Sequence, residues 1–452
     1  MIQRLLFNNF RLVYGFSRLL RSKLTSNGLL VLTALIMAGV FGFDTRQTLS
    51  FQIFSVLLSV LLLSLLCSFW FRRRFTVRRY LPEFATAGQP LKYELLIDNH
   101  TGSAQAGLSI HDELEGKLPS FDEFRNARDP LDSKRNWFDR YIGYPRLMNL
   151  VQRRRGGFIQ AGQDFSVQAG ETCRVASTLV PVQRGYLNFS NIRLMKPDPF
   201  GLVNSVRNFP VRDKLLVFPR FVNLGNIVLP GSRKYQPQGR AMANAVGESE
   251  EFLSLREYRN GDPLKKIHWK SFARFNSPVI KEYHDEYCVR QGLILDTCSL
   301  DGDDSLFEDA VSAATSFAMS CIQQDSILDL MFAGDKTYRF NAGRGSLTLQ
   351  NMLEILACVQ PSRENNLQSL ERLAVDCISE CSVYICVLLD WDRQRKEMIR
   401  TLRRYGMTIL CVVIVTGPEQ DDADLEPMLG TPEYFYQVRQ TDFEHDLLQI
   451  SL

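Results

Sequence analysis

The residues with the clearest chemical potential lie in the stretch LILDTCSLDGDD, Leu293 to Asp304. An apolar run ends on Asp296, a hydroxyl and a thiol follow at Thr297 and Cys298, and the chain then turns acidic at Asp301, Asp303 and Asp304. At the carboxyl end of a parallel strand such a group can hold a cation, carry a nucleophile or simply start a helix. A thiol near a helix N-terminus can have a lowered pKa and act as a nucleophile, which requires a base. His268 and His284 are the histidines to consider, and no spacing requires either to be close. A buried, inert Cys298 is the plainer reading. His268 beside Trp269 could serve as a general base, although a lone His next to a Trp is more often packed and hydrogen-bonded. The chain has no phosphate-cradling Gly-rich loop and no HExxH.

The elements that must position this edge are written in the pattern around it. GLILD, SILDLMFAG, KTYRFNAG, SVYICVLLD and MTILCVVIV read as strands. SLFEDAVSAATSFAMSCIQQ, LTLQNMLEILACV and NLQSLERLAVDCISE carry helical periodicity, and DRQRKEMIRTLRRYG reads as an exposed basic helix that stops at Gly406. Residues 291–452 are therefore expected to form a doubly wound α/β domain with a mainly parallel sheet, in which MTILCVVIV is the last clear strand. Strand ends gather at one edge of such a sheet, so Asp296 is expected there as an exposed carboxylate, with Asp390 on the neighbouring strand. Replacing an exposed strand-end carboxylate with alanine costs about half a kcal/mol.

The 452 residues are enough for several domains, and a net charge of +3 gives no global reason to bind nucleic acid. Ten cysteines are scattered without a CxxC pair, Cys377, Cys381 and Cys386 being the nearest approach to a cluster. Such cysteines suit a reducing compartment. Two runs, Leu24 to Phe43 and Leu49 to Phe71, carry no charge and are separated only by DTRQT. Each has the roughly 20 residues needed to cross about 30 Å of hydrocarbon, so residues 24–74 predict a transmembrane helical hairpin. Arginines and a lysine precede the first run and five arginines, Arg72 to Arg74 with Arg78 and Arg79, follow the second. The positive-inside rule then places both ends in the cytoplasm, as a multi-pass protein. Residues 1–23 mix apolar, aromatic and arginine positions, which predicts an amphipathic helix along the inner leaflet, a short disordered basic tail being the alternative.

From 75 to 220 short alternating runs are broken by turn residues, as in LKYELLIDNHTG and RVASTLVPVQRGYLNF. This predicts an antiparallel β-sandwich of immunoglobulin-like size. Residues 113–155 are charged, aromatic and aperiodic, and are expected to be a long loop or a partly helical excursion that is flexible or contacts a partner. RRRGG, Arg153 to Gly157, reads as a solvated hairpin face, an anionic-lipid or partner patch being the alternative. KPDPFGLV, Lys196 to Val203, reads as a rigid corner: Asp198 can close an Asx turn, and Gly201 permits a positive φ after a buried Phe200.

Residues 221–290 connect the two folded modules. Within them run Leu255-Arg256 and Tyr258, Gly261-Asp262, Ile267-His268-Trp269, and Ala273-Arg274 leading to Glu282 and Glu286. Read alone, GDP is a turn, a short helix carrying His268 and Trp269 can follow, and Arg256 and Arg274 can pair with the surrounding glutamates. In this order the motifs resemble the bacterial family called domain of unknown function 58. The resemblance extends to the two apolar runs, Arg184-Gly185, Asp198 to Leu202 and Phe218-Pro219. Its signature positions here are Arg256, Tyr258, Gly261, Asp262, His268, Trp269 and Arg274.

The resemblance implies that the C-terminal domain is similar to a von Willebrand factor A domain. Such domains often bind a divalent cation through Asp-x-Ser-x-Ser, a Thr in a second loop and an Asp after the fourth strand. Carried over, these are Asp296, Thr348 (or Ser346) and Asp390, but Cys298 and Leu300 stand at the serine positions. Mg²⁺ wants oxygen ligands at about 2.1 Å, so the expected cofactor is none, or weakly bound Mg²⁺. The double change Cys298→Ser with Leu300→Ser is expected to restore binding. The resemblance also implies a non-catalytic, membrane-anchored adaptor of the bacterial inner membrane. Its implied partners are a MoxR-type AAA+ ATPase and other membrane or envelope proteins, in assembly, maturation or envelope stress. The alternative is a membrane-tethered hydrolase using His268 with Asp296 or Cys298.

Overall fold

The computed structural model describes residues 2–41, 48–69, 74–116, 118–126, 136–137, 139, 143–160, 162, 164–225, 252–259, 264–275, 277–283, 290–298, 304–323, 326–342, 346–364, 366–417 and 426–450. The chain divides into two compact units, Met1–Arg220 with Glu354–Cys358, and Phe221–Leu353 with Val359–Leu452.

The first unit begins with three helices: α1 (Ile2–Lys23), α2 (Ser26–Phe41) and α3 (Thr48–Phe69). Apolar residues occupy all sides of α2 and α3, and the two lie against each other, with Gly39 close to the Phe54 ring. Among the described residues, Leu49–Ser68 is the stretch long and apolar enough to cross a membrane. Within the described residues α2 runs over 16 positions, fewer than the roughly 20 a crossing needs, and the last two residues of the expected 24–43 span lie outside them. Among the described residues there are thus one candidate span and a shorter apolar helix.

Two sheets follow. One has the order β1 (Phe75–Tyr80), β3 (Leu91–Asn99), β7 (Thr172–Pro181), β5 (Gly157–Ile159), and every pairing is antiparallel. The other runs β2 (Phe84–Thr86), β10 (Lys214–Phe218), β8 (Gly185–Pro197), β4 (Gln105–Leu114), β6 (Phe165–Val167), with β9 (Asn204–Phe209) also paired to β8. Alternation turns one face of each strand inward: Tyr93, Leu95 and Ile97 of β3 meet Leu108 and Ile110 of β4 and Phe189, Ile192 and Leu194 of β8 in a single core. The excursion is partly helical: among its described residues it carries α4 (Phe121–Asn126) and α5 (Tyr144–Arg155). Arg154 pairs with Glu123 of α4, so the basic run ends a helix rather than lining a hairpin.

KPDPFGLV does form a corner. The Asp198 carboxylate accepts from the amides of Phe200 at 3.1 Å, Leu202 at 2.7 Å and Val203 at 2.8 Å, and Gly201 takes φ +67°. Phe200, expected to be buried, is 47 % exposed. The corner clasps the helices: Ser64 of α3 donates to Asp198 at 2.7 Å, and Thr25 donates to the Gly201 carbonyl at 2.5 Å. Ser205 donates to the Ser68 carbonyl at 2.9 Å. A Cβ on Gly28 would stand 2.0 Å from the Leu202 carbonyl oxygen, so only glycine permits this approach.

In the second unit β11 (Phe252–Glu257) and β12 (Val279–Tyr283) form a two-stranded antiparallel sheet with the short helix α6 (Trp269–Phe275) between them in sequence. The main sheet has six strands in the order β15 (Thr337–Ala342), β14 (Ile327–Ala333), β13 (Arg290–Leu295), β16 (Val383–Leu388), β17 (Thr408–Val415), β18 (Phe435–Arg439). All pairings are parallel except that of the edge strand β15. Helix α7 (Asp304–Gln323) packs a face of Phe307, Ala310, Val311, Ala314 and Phe317 on the sheet. On the opposite face α9 (Leu367–Asp376) and α10 (Arg393–Arg404) bury Leu370, Ala374, Met398, Ile399 and Leu402 against Ile294, Cys386 and Cys411. MTILCVVIV is not the last strand: β18 and a short helix, α11 (Phe443–Leu448), follow it.

Candidate functional site

Read outward from β13, the chain runs to β14 and β15 on one side and to β16, β17 and β18 on the other. The direction of winding therefore changes between β13 and β16, the place where open α/β sheets form their crevice. Asp296 follows β13 directly and Asp390 lies two residues beyond β16, so both stand at this crevice.

Asp296 is fully buried, which corrects the exposed carboxylate expected there. One oxygen accepts from the Cys298 amide at 2.9 Å. The other accepts from the Leu389 amide at 3.1 Å and from Arg395 Nε at 2.6 Å. The same guanidinium donates to the Cys298 carbonyl at 3.0 Å and to Asp392 at 3.0 Å. Asp392 also caps α10 by accepting from the Arg395 amide at 2.9 Å. Burial works against the charge on Arg395, but the neighbouring carboxylates, Asp296 above all, outweigh it and hold its pKa above the ordinary value. The end of β13, the end of β16 and the start of α10 are thus joined through one guanidinium.

Arg395 is the residue that pattern reading missed. The charge pattern reads as an exposed basic helix, yet Arg395, Met398, Ile399 and Leu402 are spaced i, i+3, i+4 and i+7 and are all buried. An arginine at the head of an apolar stripe was the available signal.

A divalent cation does not fit this arrangement. The Asp296 oxygens already serve two amides and a guanidinium, so a metal would have to displace a buried positive charge. Asp390 is exposed, and its carboxylate accepts from the Trp391 amide at 2.7 Å. Thr348 falls in the first turn of α8 (Ser346–Cys358), and its side chain and that of Ser346 lie outside the described residues, as does Leu300. Among the described residues no group of three or more His, Cys, Asp or Glu side chains could hold a metal.

Residues 254–425 match the family described as "Protein of unknown function DUF58". The match covers the signature segment and most of the α/β unit. A curated relative, the "Uncharacterized protein YeaD" of Bacillus subtilis (strain 168), is 26 % identical over 181 residues, which is 40 % of this chain and 44 % of YeaD. The chain therefore spans less than half the length of that relative. Among solved structures, proximal thread matrix protein 1 from the mussel byssus is 11 % identical, with a TM-score of 0.28 over 36 % of this chain and 46 % of that one. Plasmodium vivax TRAP is likewise 11 % identical, with a TM-score of 0.28 over 36 % of this chain and 73 % of TRAP.

The described residues that carry the resemblance lie in and around the small sheet. Arg256 lies in β11 and donates to the Glu257 carbonyl, and the Tyr258 amide reaches the Pro278 carbonyl at 2.9 Å. Gly261 and Asp262 lie outside the described residues, as do the glutamates 248, 250, 251 and 286. The His268 amide donates to the Val279 carbonyl, tying the start of α6 to β12, while its ring Nδ1 pairs with the Ser271 hydroxyl at 2.6 Å. Trp269 is 64 % exposed and meets Phe272 edge to face; Arg274 is exposed. Cys298 is buried, and both burial and the Asp296 charge push its thiol pKa up, opposite to what a nucleophile needs. Among the described residues no hydrogen bond joins His268 to Asp296 or Cys298. His284 lies outside them.

Proposed function

We propose that this protein is a membrane-anchored, non-catalytic adaptor whose α/β unit docks a partner on the surface around the β13/β16 edge. The observation that carries the reading is the Asp296–Arg395 pair: the groups that could have done chemistry at the crevice are spent on holding it shut. What remains outward is a mixed surface of Asp390, Arg393, Gln394 and the exposed Arg363–Asp304 ion pair, the composition of a polar docking rim. In the finer reading the β-rich unit is immunoglobulin-like and the α/β unit von Willebrand factor A-like, with Arg395 in place of the metal. The β15-to-β18 strand order with one antiparallel edge supports the second of these.

Attachment runs through α3, with α2 as its companion in an inner-membrane hairpin, and the basic flanks favour a cytoplasmic position for both units. A MoxR-type AAA+ ATPase is the proposed partner, and client envelope proteins the proposed cargo. The test is capture on the detergent-solubilised full chain, with and without ATP, comparing the wild type with Asp390→Lys combined with Arg393→Glu. These changes leave Asp296 and Arg395 in place. The expected result is co-purification of the ATPase with the wild type and its loss from the variant. Equal capture by both would remove the edge from the interface. No ATPase in either nucleotide state would overturn the adaptor assignment.

A further inference from the structure

Helix α1 has two apolar faces, and the β-rich unit covers only one. Phe7, Phe10 and Tyr14 turn toward the unit. Phe7 packs on Phe121 and Phe124 of α4, Phe10 meets Tyr144 of α5 edge to face at 5.3 Å, and Tyr14 Oη accepts from Arg155 at 2.5 Å. Arg18 closes the contact with Glu113 at 2.7 Å. At 3.6 residues per turn, Leu12, Phe16 and Leu19 fall on the opposite side, where they are 73 %, 66 % and 62 % exposed. A helix that has buried one apolar face against its own domain carries polar residues on the other when that side meets water. Here the outer face is a leucine–phenylalanine–leucine stripe.

What covers the stripe follows from where the helix leads. Lys23 ends α1 and Ser26 begins α2, which packs on α3. The corner at 198–205 holds both Thr25, at the start of α2, and Ser68, at the end of α3, so these two points stand at one level. The chain of α1 leaves the apolar helices from that level, and the exposed Phe200 stands on the same corner. Exposed Arg4 and Arg11 flank the stripe and Lys23 closes it, the charges an anionic headgroup layer attracts.

We propose that α1 is an interfacial helix held between the β-rich unit and the bilayer, with Leu12, Phe16 and Leu19 seated at the headgroup–acyl boundary of anionic phospholipids. The unit then sits on the membrane through a second, lateral contact rather than hanging from α3 alone. This rests on the reading of α3 as the membrane anchor. The test uses the full chain in nanodiscs containing phosphatidylglycerol, with p-benzoylphenylalanine introduced singly at Phe16, Phe10 or Val56 and lipid adducts read by mass spectrometry after irradiation. Val56 lies in α3 and reports the anchor itself. The proposal expects lipid adducts at 16 and 56 and their loss at 10, which cross-links within the protein. Adducts at 56 without any at 16, or a cross-link from 16 to a second copy of the chain, would overturn the proposal and leave the anchor standing. No lipid adduct at either 16 or 56 would overturn both.

Discussion

Asp198 and Asp296 each follow the last residue of a strand and each is buried, but they are satisfied by different partners. Asp198 takes three amides and the Ser64 hydroxyl, all neutral donors. Asp296 takes two amides and the buried guanidinium of Arg395. A carboxylate ringed by neutral donors keeps its charge through hydrogen bonds, and losing it leaves polar groups unpaired. A carboxylate facing a buried cation leaves, on removal, a stranded charge, which costs more. One aspartate therefore shapes a loop and pins helices, while the other locks two strand ends and a helix around an ion pair.

The largest expected effect breaks the second arrangement. Asp296→Ala leaves the buried Arg395 with Asp392 as its remaining carboxylate and should cost about 3 kcal/mol, read from denaturation of the detergent-solubilised chain. This replaces the half kcal/mol expected of an exposed strand-end carboxylate. Asp296→Leu together with Arg395→Met removes both charges and should cost clearly less than the single change. A double variant as unstable as Asp296→Ala would show that the ion pair is not the cause.

Next in size is Asp198→Ala, which deprives three amides and a hydroxyl of their acceptor and should cost about 2–3 kcal/mol. Ser64→Ala removes one partner from α3 and should cost about 1 kcal/mol in the same assay. Acid sharpens the contrast. Burial raises the Asp198 pKa, but the amides of Val203, Leu202 and Phe200 and the Ser64 hydroxyl outweigh it and hold the value below the ordinary one. Its stabilisation is therefore complete above the unfolded value of about 3.9 and is lost as pH falls through the lower folded value. Asp198→Asn should flatten that acid slope, and an unchanged slope would assign it to other carboxylates.

The smallest expected effect is none. Low-millimolar Mg²⁺ should not raise the melting temperature of the wild type. Nor should it raise that of Cys298→Ser with Leu300→Ser, because Arg395 still holds the Asp296 oxygen. The family resemblance implies restoration in that double variant, and a shift there would show that the guanidinium yields to the metal.

Strand and helix alternation in the α/β unit was legible because buried parallel strands write themselves as continuous apolar runs such as VYICVL. FYQVR of β18 was not, since an edge strand with one fully buried residue has no such run. The turn at Asp198 was readable from Asp, two prolines and Gly201, but its bond to Ser64 spans 134 residues and no local pattern encodes it. The site residue Asp296 was found through its place at a strand end. Its partner was hidden because Arg395 is one of five arginines in α10, and only the apolar stripe below it separates the buried one from the rest.

The clasp between the corner and the first helices also orders events in time. Thr25 and Gly201 lie 176 residues apart, and synthesis proceeds at about 5–20 residues per second. Thr25 is therefore made roughly 9–35 seconds before Gly201 exists. Until β8 pairs and the corner folds, Ser64 carries its hydroxyl on an apolar helix without the acceptor it later finds. Completion of the β-rich unit thus becomes the step that fixes the helix pair, and a chain arrested before residue 198 would lack the residues that hold Thr25 and Ser64.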